Sequence, residues 1–195
     1  QGSWRSYQKR VLDEAEGYLQ DGKVHIVAAP GVGKTTLGIE LIRRAGRPCL
    51  ILSPRIVIRQ QWLERIEGSF LTHPSSEADW LSNDIHRPGL VTSLTYQTLF
   101  CAMNKEEETE EDGDGAYREQ LDFRGFSFVE QVKRAGISTI CLDECHHLKQ
   151  EWWKALEAFM AQMEGAVVIA LTATPPYDST PAQWERYISM CGQID

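Results

Sequence analysis

Nowhere in this chain does an apolar run approach the roughly 20 residues that span a bilayer. Gln1 to Gln20 is charged throughout and offers no apolar stretch of a secretion signal. Cysteine is sparse and odd in number: five residues without framework spacing exclude a disulfide scaffold and point to a reducing, cytoplasmic setting. Positive charge is short as well. Lys and Arg total 20 against 28 Asp and Glu, a net charge of −8, so a phosphate-attracting surface over the whole chain is excluded. The deficit is local, however. Glu106 to Asp114 carries seven acidic residues and no basic ones, and without those seven the −8 falls to −1. A basic face can therefore coexist with an acidic excursion. With 195 residues, 42% of them hydrophobic and 25% charged, the chain suits one folded domain rather than a disordered segment. Gln1-Gly2-Ser3 reads as an expression scar, which leaves 4–195 as a single domain with an acidic insert at about 104–116.

Short β-branched runs alternate with longer amphipathic stretches. Helices are predicted over Trp4 to Leu19, Lys34 to about Arg44, Ile56 to Glu67, Tyr96 to Met103, Phe126 to Arg134, Glu151 to Met163 and Trp184 to Met190. Strands are predicted at Val24 to Ala29, Cys49 to Leu52, Leu90 to Leu94, Thr139 to Leu142 and Ala166 to Leu171. Gly68 to Gly89 mixes loop with a short helix around Glu77 to Leu81, and the acidic run reads as a solvated, mobile surface loop. No internal repeat is present. Continuously apolar strands separated by helices imply an α/β fold, a mainly parallel sheet with helices on both faces. Such sheets bind ligands at the carboxyl ends of their strands, and the polar clusters fall there.

Ala28-Ala29-Pro30-Gly31-Val32-Gly33-Lys34-Thr35 follows one strand and opens a helix. Glycines 31 and 33 allow successive N–H groups to converge on one anion, and the helix N-terminus adds partial positive charge. Lys34 then reaches the β- and γ-phosphates of a nucleotide, and the Thr35 hydroxyl ligates magnesium. The first position is Ala28 where the usual phosphate-loop pattern has glycine. A corner using glycine only for its turn would leave Lys34-Thr35 unexplained. Asp143-Glu144-Cys145-His146 ends another apolar strand. There Asp143 is placed to hold magnesium, and Glu144 to orient and deprotonate an attacking water. Cys141, Cys145, His146 and His147 also suggest zinc, but Cys141 lies inside a strand and no second pair stands at finger spacing.

Phosphate loop, D-E-C-H and Leu171-Thr172-Ala173-Thr174-Pro175, in that order, resemble motifs I, II and III of superfamily-two helicases. The likeness is to the DEAD/DEAH-box and type III restriction (ResIII-like) translocases and runs from Tyr7-Gln8 to Pro176. It implies a RecA-like domain with ATP and Mg2+ as cofactors. Lys34, Asp143 and Glu144 are then the catalytic set, with Thr35 and Asp143 on the metal. Gln8, Pro30, Gly31, Val32, Gly33, Lys34, Thr35 and Thr36 are the nucleotide-binding set. In the family an early glutamine reads adenine, a role an amide suits because it both donates and accepts. By the same resemblance His146, Thr172 and Thr174 couple hydrolysis to movement. Ser53-Pro54-Arg55 and Thr92, Ser93 and Thr95 then contact the nucleic-acid backbone, with DNA favoured over RNA.

Nothing after Pro176 resembles motifs IV to VI, which in the family belong to a second RecA-like domain. The expectation is a fragment near-inactive by itself, without arginines from across the cleft. An ATP-dependent nucleic-acid-binding subunit of a restriction or defence complex, without strand separation, is the alternative. A P-loop kinase fits less well, because kinases seldom need the water-activating Glu144.

Overall fold

The computed structural model describes residues 4–29, 33–46, 48–70, 80–111 and 118–194. Helix α1 (Ser6–Asp21) leads into strand β1 (Lys23–Val27), α2 (Lys34–Ala45), β2 (Cys49–Ser53) and α3 (Ile56–Phe70). A two-residue strand β3 (Leu81–Ser82), β4 (Val91–Thr95) and α4 (Tyr96–Asn104) follow. Beyond them come β5 (Glu107–Glu111), β6 (Arg118–Asp122), α5 (Phe128–Arg134) and β7 (Thr139–Asp143). A 3-10 turn (Cys145–His147), α6 (Gln150–Ala161), β8 (Val167–Thr172) and α7 (Pro181–Cys191) complete the order.

Six parallel strands form one sheet in the order β1-β8-β7-β2-β4-β3. Every residue of β2, β4, β7 and β8 is buried, as the apolar runs require of strands covered on both faces. Alternation divides the core. Leu50 and Leu52 join α4, α5, α6 and α7 on one face, while Cys49 and Ile51 join α1, α2 and α3 on the other. Among the described residues no helix is long and apolar enough to cross a membrane.

The acidic stretch departs from the solvated loop expected of it. Glu107–Glu111 pairs antiparallel with Arg118–Asp122, a separate two-stranded ribbon. Glutamate is a poor strand former, so composition gave no hint of it. The ribbon is anchored where it meets the body: Phe123 N–H donates to Glu106 O at 3.1 Å, and the Phe123 ring is fully buried. Arg124 offsets part of the charge, 2.8 Å from both Glu107 and Asp122. The short helix expected around Glu77 to Leu81 lies mostly outside the described residues, and its last residue, Leu81, pairs with Val91 in an edge strand. Helix α7 starts three residues earlier than the apolar pattern indicates. Thr180 accepts from Gln183 N–H, Gln183 Oε1 accepts from Thr180 N–H at 3.0 Å, and Pro181 occupies the first turn.

Candidate functional site

Parallel strands all point one way, so the turns after β1, β7 and β8 open on the same edge of the sheet. β8 lies between β1 and β7, and this order decides which groups meet. Gly33 caps α2 with φ +90°, a left-handed conformation that glycine takes without a Cβ penalty. Lys34 is the first helical residue, so its ammonium stands beside the positive end of the helix. Pro30, Gly31 and Val32 lie outside the described residues. Thr35 is half-buried and Thr36 exposed at the same helix start.

The ammonium of Lys34 meets both carboxylates that end β7. Its nitrogen is 3.1 Å from Asp143 Oδ1 and donates to Glu144 Oε1. Asp143 Oδ2 accepts from the Trp62 indole N–H at 3.0 Å, and the Asp143 main-chain carbonyl accepts from the Tyr96 hydroxyl at 2.9 Å. Glu144 turns away from the strand through φ +50° and ψ +43°, a conformation costing a non-glycine residue about 1 kcal/mol. Several bonds hold it there. Glu144 N–H donates to Leu171 O at 2.9 Å, Ala173 N–H donates to Oε1 at 2.8 Å, and the Thr172 hydroxyl donates to Oε2 at 2.9 Å.

These surroundings push the two carboxyls apart. Burial lifts Asp143 above its ordinary value despite the attraction of Lys34 and the Trp62 bond. Burial acts on Glu144 in the same direction, but there the bonds from Lys34, Ala173 and Thr172 win and hold it below its ordinary value. Burial would lower Lys34, yet the two carboxylates together raise it.

His146 Nδ1 lies 3.3 Å from the Thr172 hydroxyl oxygen and 3.6 Å from Glu144 Oε2. Since the Thr172 proton is given to Glu144, Thr172 can only accept from His146, which sets the proton on Nδ1. Burial and the neighbouring His147 bring His146 down to about 4, so the ring is neutral near pH 7. Thr174 takes part through its main chain, donating N–H to Thr172 Oγ1 at 3.1 Å, while its side chain is exposed.

Gln8 reaches the same corner from α1. Its Oε1 accepts from Arg5 N–H at 3.1 Å, and a Cβ on Gly33 would stand only 2.7 Å from its Nε2. The glutamine is therefore held against Gly33, the N-cap of α2.

The nucleic-acid set is divided. Ser53, Thr92, Ser93 and Thr95 are all buried. Thr92 Oγ1 accepts from Gly89 N–H at 3.1 Å, Ser93 donates to Arg59 O at 3.0 Å, and Thr95 caps α4 by accepting from Thr98 N–H at 3.1 Å. Those three hydroxyls are bonded within the fold, so contact with nucleic acid by these residues remains a proposal. Arg55 is exposed and Pro54 half-buried, the two of that set with side chains at the surface.

Trp62 and Tyr96 were not among the candidate residues; they lie in the helices predicted over Ile56 to Glu67 and Tyr96 to Met103. The available signal was chemical: both are aromatic groups with a polar handle that seeks a partner when buried. Glu144, His146 and His147 offer ligand atoms within 4.8 Å of one another, but both Glu144 oxygens are already bonded by Lys34, Ala173 and Thr172.

The family model ResIII, described as "Type III restriction enzyme, res subunit", matches residues 1–177. A protein of Frog virus 3 (isolate Goorha) named "Putative helicase 055L" is 44% identical over 93 residues, 45% of this chain and 22% of that protein. Among solved structures, the UvsW helicase from bacteriophage T4 superposes with TM-score 0.65 at 13% identity, covering 96% of this chain and 58% of the other. The Hef helicase domain of Pyrococcus furiosus gives TM-score 0.65 at 18% identity, over 97% and 37%. At such identities the likeness establishes the fold, the RecA-like domain of helicases. This chain spans less than two thirds of each of these relatives.

Proposed function

The chain belongs to the ResIII family, and from that premise we propose that it is the ATP-binding half of a motor that couples Mg-ATP hydrolysis to movement on nucleic acid. The observation that carries this reading is the meeting of Lys34 with Asp143 and Glu144 at one helix N-terminus. An ammonium beside a helix start attracts phosphates. Asp143 Oδ1 is buried with the Lys34 ammonium 3.1 Å away as its neighbour, so once that ammonium turns to phosphate the oxygen has acceptor capacity for a hard cation beside Thr35. Bound there, Mg2+ would neutralise charge on the phosphates and hold them in line.

The remaining steps belong to the chain itself. Triphosphate competes for Lys34 and draws the ammonium off the carboxylates. Glu144, freed of that bond but still aimed by Thr172 and Ala173, orients and deprotonates water. Lys34 stabilises charge developing on the transferred phosphoryl group. Gln8, held beside Gly33, is the residue assigned to reading adenine. Thr172 and His146 sense the state of Glu144 and pass it toward Thr174 and the following loop. Nucleic acid, DNA ahead of RNA, is the track, and Arg55 is the phosphate contact on this face. A second RecA-like domain supplies the remaining arginines. An arginine finger is worth roughly 10³–10⁵ in rate, so this domain alone turns over far below about one per second.

The family description favours one other reading, an ATP-dependent nucleic-acid-binding subunit of a restriction complex that does not separate strands. The full-length protein decides. Hydrolysis stimulated by nucleic acid and abolished by Glu144→Gln supports the motor. ATP binding without hydrolysis refutes it. Translocation along duplex without strand displacement selects the restriction-type reading.

A further inference from the structure

Asp143 is held by two aromatic donors that belong to neither the phosphate turn nor the segment after β8. Trp62 lies on α3, whose first turn follows Ser53-Pro54-Arg55. Its indole N–H ends 3.0 Å from Asp143 Oδ2, and its ring closes over Gly38 of α2. Tyr96 is the first residue of α4, directly after β4, and its hydroxyl ends 2.9 Å from the main-chain carbonyl of the same aspartate. Both side chains are 1% exposed, so neither bond has water to replace it. The two helices are also tied to each other's surroundings. Ser93 of β4 donates to Arg59 O, one helical turn before Trp62, and Thr95 caps α4 beside Tyr96.

We propose that Trp62 and Tyr96 are positioning residues for Asp143, by which a displacement of α3 or α4 is felt at the metal-binding carboxylate. This rests on the nucleotide reading above. Trp62 fixes the side chain: with Oδ2 occupied by the indole, Oδ1 alone faces Lys34 and the start of α2, where a cation held jointly with Thr35 would lie. Tyr96 fixes the main chain at the point where β7 ends and Glu144 enters its left-handed turn. The exposed segment that opens α3 and the first turn of α4 stand on the strand edge that carries the candidate site. A ligand that shifts either helix against the sheet moves an Asp143 donor with it. Coupling by Thr172 and His146 acts on Glu144, so the two routes reach different carboxylates.

The test has two readings on the intact chain. In a 1H–15N spectrum the Trp62 indole resonance is identified as the one missing from Trp62→Phe. Asp143→Asn should shift it upfield, because a charged acceptor is replaced by a neutral one; an unmoved resonance overturns the proposal. Fluorescent ATP analogue binding is then followed against Mg2+ concentration. Trp62→Phe should raise the Mg2+ midpoint about tenfold, the scale of losing one hydrogen bond to a charged group. Tyr96→Phe, which removes one oxygen and leaves the ring in place, should raise it about threefold, and it serves if Trp62→Phe fails to fold. Midpoints equal to wild type in the folded variants, with normal analogue binding, overturn this coupling alone. A wild-type chain that takes up no analogue overturns the nucleotide reading and the coupling with it.

Discussion

Replacing Gly38 with alanine sets helix propensity against packing. Glycine inside a helix costs about 1 kcal/mol relative to alanine, and at an open site the change would raise the melting midpoint by roughly 2–4 °C for a chain of this size. Gly38 is not open. A Cβ there would stand 2.6 Å from Trp62 Cη2 and 2.7 Å from Leu171 Cδ1, against the ~3.5–4.0 Å at which carbon atoms meet. Both neighbours are buried, so the indole must retreat by about 1 Å. Overpacking of this kind costs roughly 1–3 kcal/mol, which cancels the propensity gain or exceeds it by up to ~2 kcal/mol. The retreating ring carries the N–H that lies 3.0 Å from Asp143 Oδ2, and a shift of about 1 Å takes that bond out of range. The expected outcome is a midpoint unchanged or lowered, with Mg-ATP affinity reduced about tenfold. Thermal unfolding and calorimetric titration of the same preparation measure both. A more stable Gly38→Ala chain that binds Mg-ATP as wild type does would refute the reasoning.

Other consequences are equally direct. Thr172→Val keeps the shape but removes the hydroxyl that donates to Glu144 and accepts from Thr174. Nucleotide affinity should persist while hydrolysis by the full-length protein falls about tenfold, read as a loss in kcat with KM little changed. Burial lowers His25, opposed by its bond to Gly192 O, and both ring nitrogens are engaged, with Gly192 O and the Tyr187 hydroxyl each at 2.9 Å. A histidine whose folded value is depressed contributes stability above its ordinary value of 6.5 that is lost as pH falls below it. Denaturant midpoints should therefore decline from pH 7 toward 5, and His25→Gln should flatten that slope. Arg55→Ala should weaken nucleic-acid binding by the full-length protein without sequence preference and reduce its salt dependence by about one counterion. A salt slope equal to wild type would remove Arg55 from the interface.

Local chemistry made much of this fold legible. Gly33 before Lys34, the unbroken apolar run into Asp143 and the alternation of strand with helix each follow from residues near one another in sequence. How those segments meet depends on strand order. Nothing within Val167–Thr172 says that this strand lies between β1 and β7. That position brings the Thr172 hydroxyl and Ala173 N–H onto Glu144. The acidic ribbon was missed because its composition argues for solvent, while its pairing is fixed at the base by buried Phe123. The hydroxyls of Thr92, Ser93 and Thr95 were read as ligands because serine and threonine at strand ends serve phosphates and helix caps alike. Only tertiary packing reveals that all three are buried and bonded within the fold. Trp62 and Tyr96 illustrate the converse, core residues by pattern whose single polar atoms end on Asp143.

Everything proposed for this site requires that Lys34 hold a nucleoside triphosphate. Calorimetric titration of Mg-ATP into the wild-type chain and into Lys34→Ala, each first checked for native circular dichroism, tests it most directly. Saturable binding to the wild type and a loss of roughly 10- to 150-fold in the variant are expected, the range for removing a charged hydrogen-bond donor. Equal affinity in the two chains would contradict it.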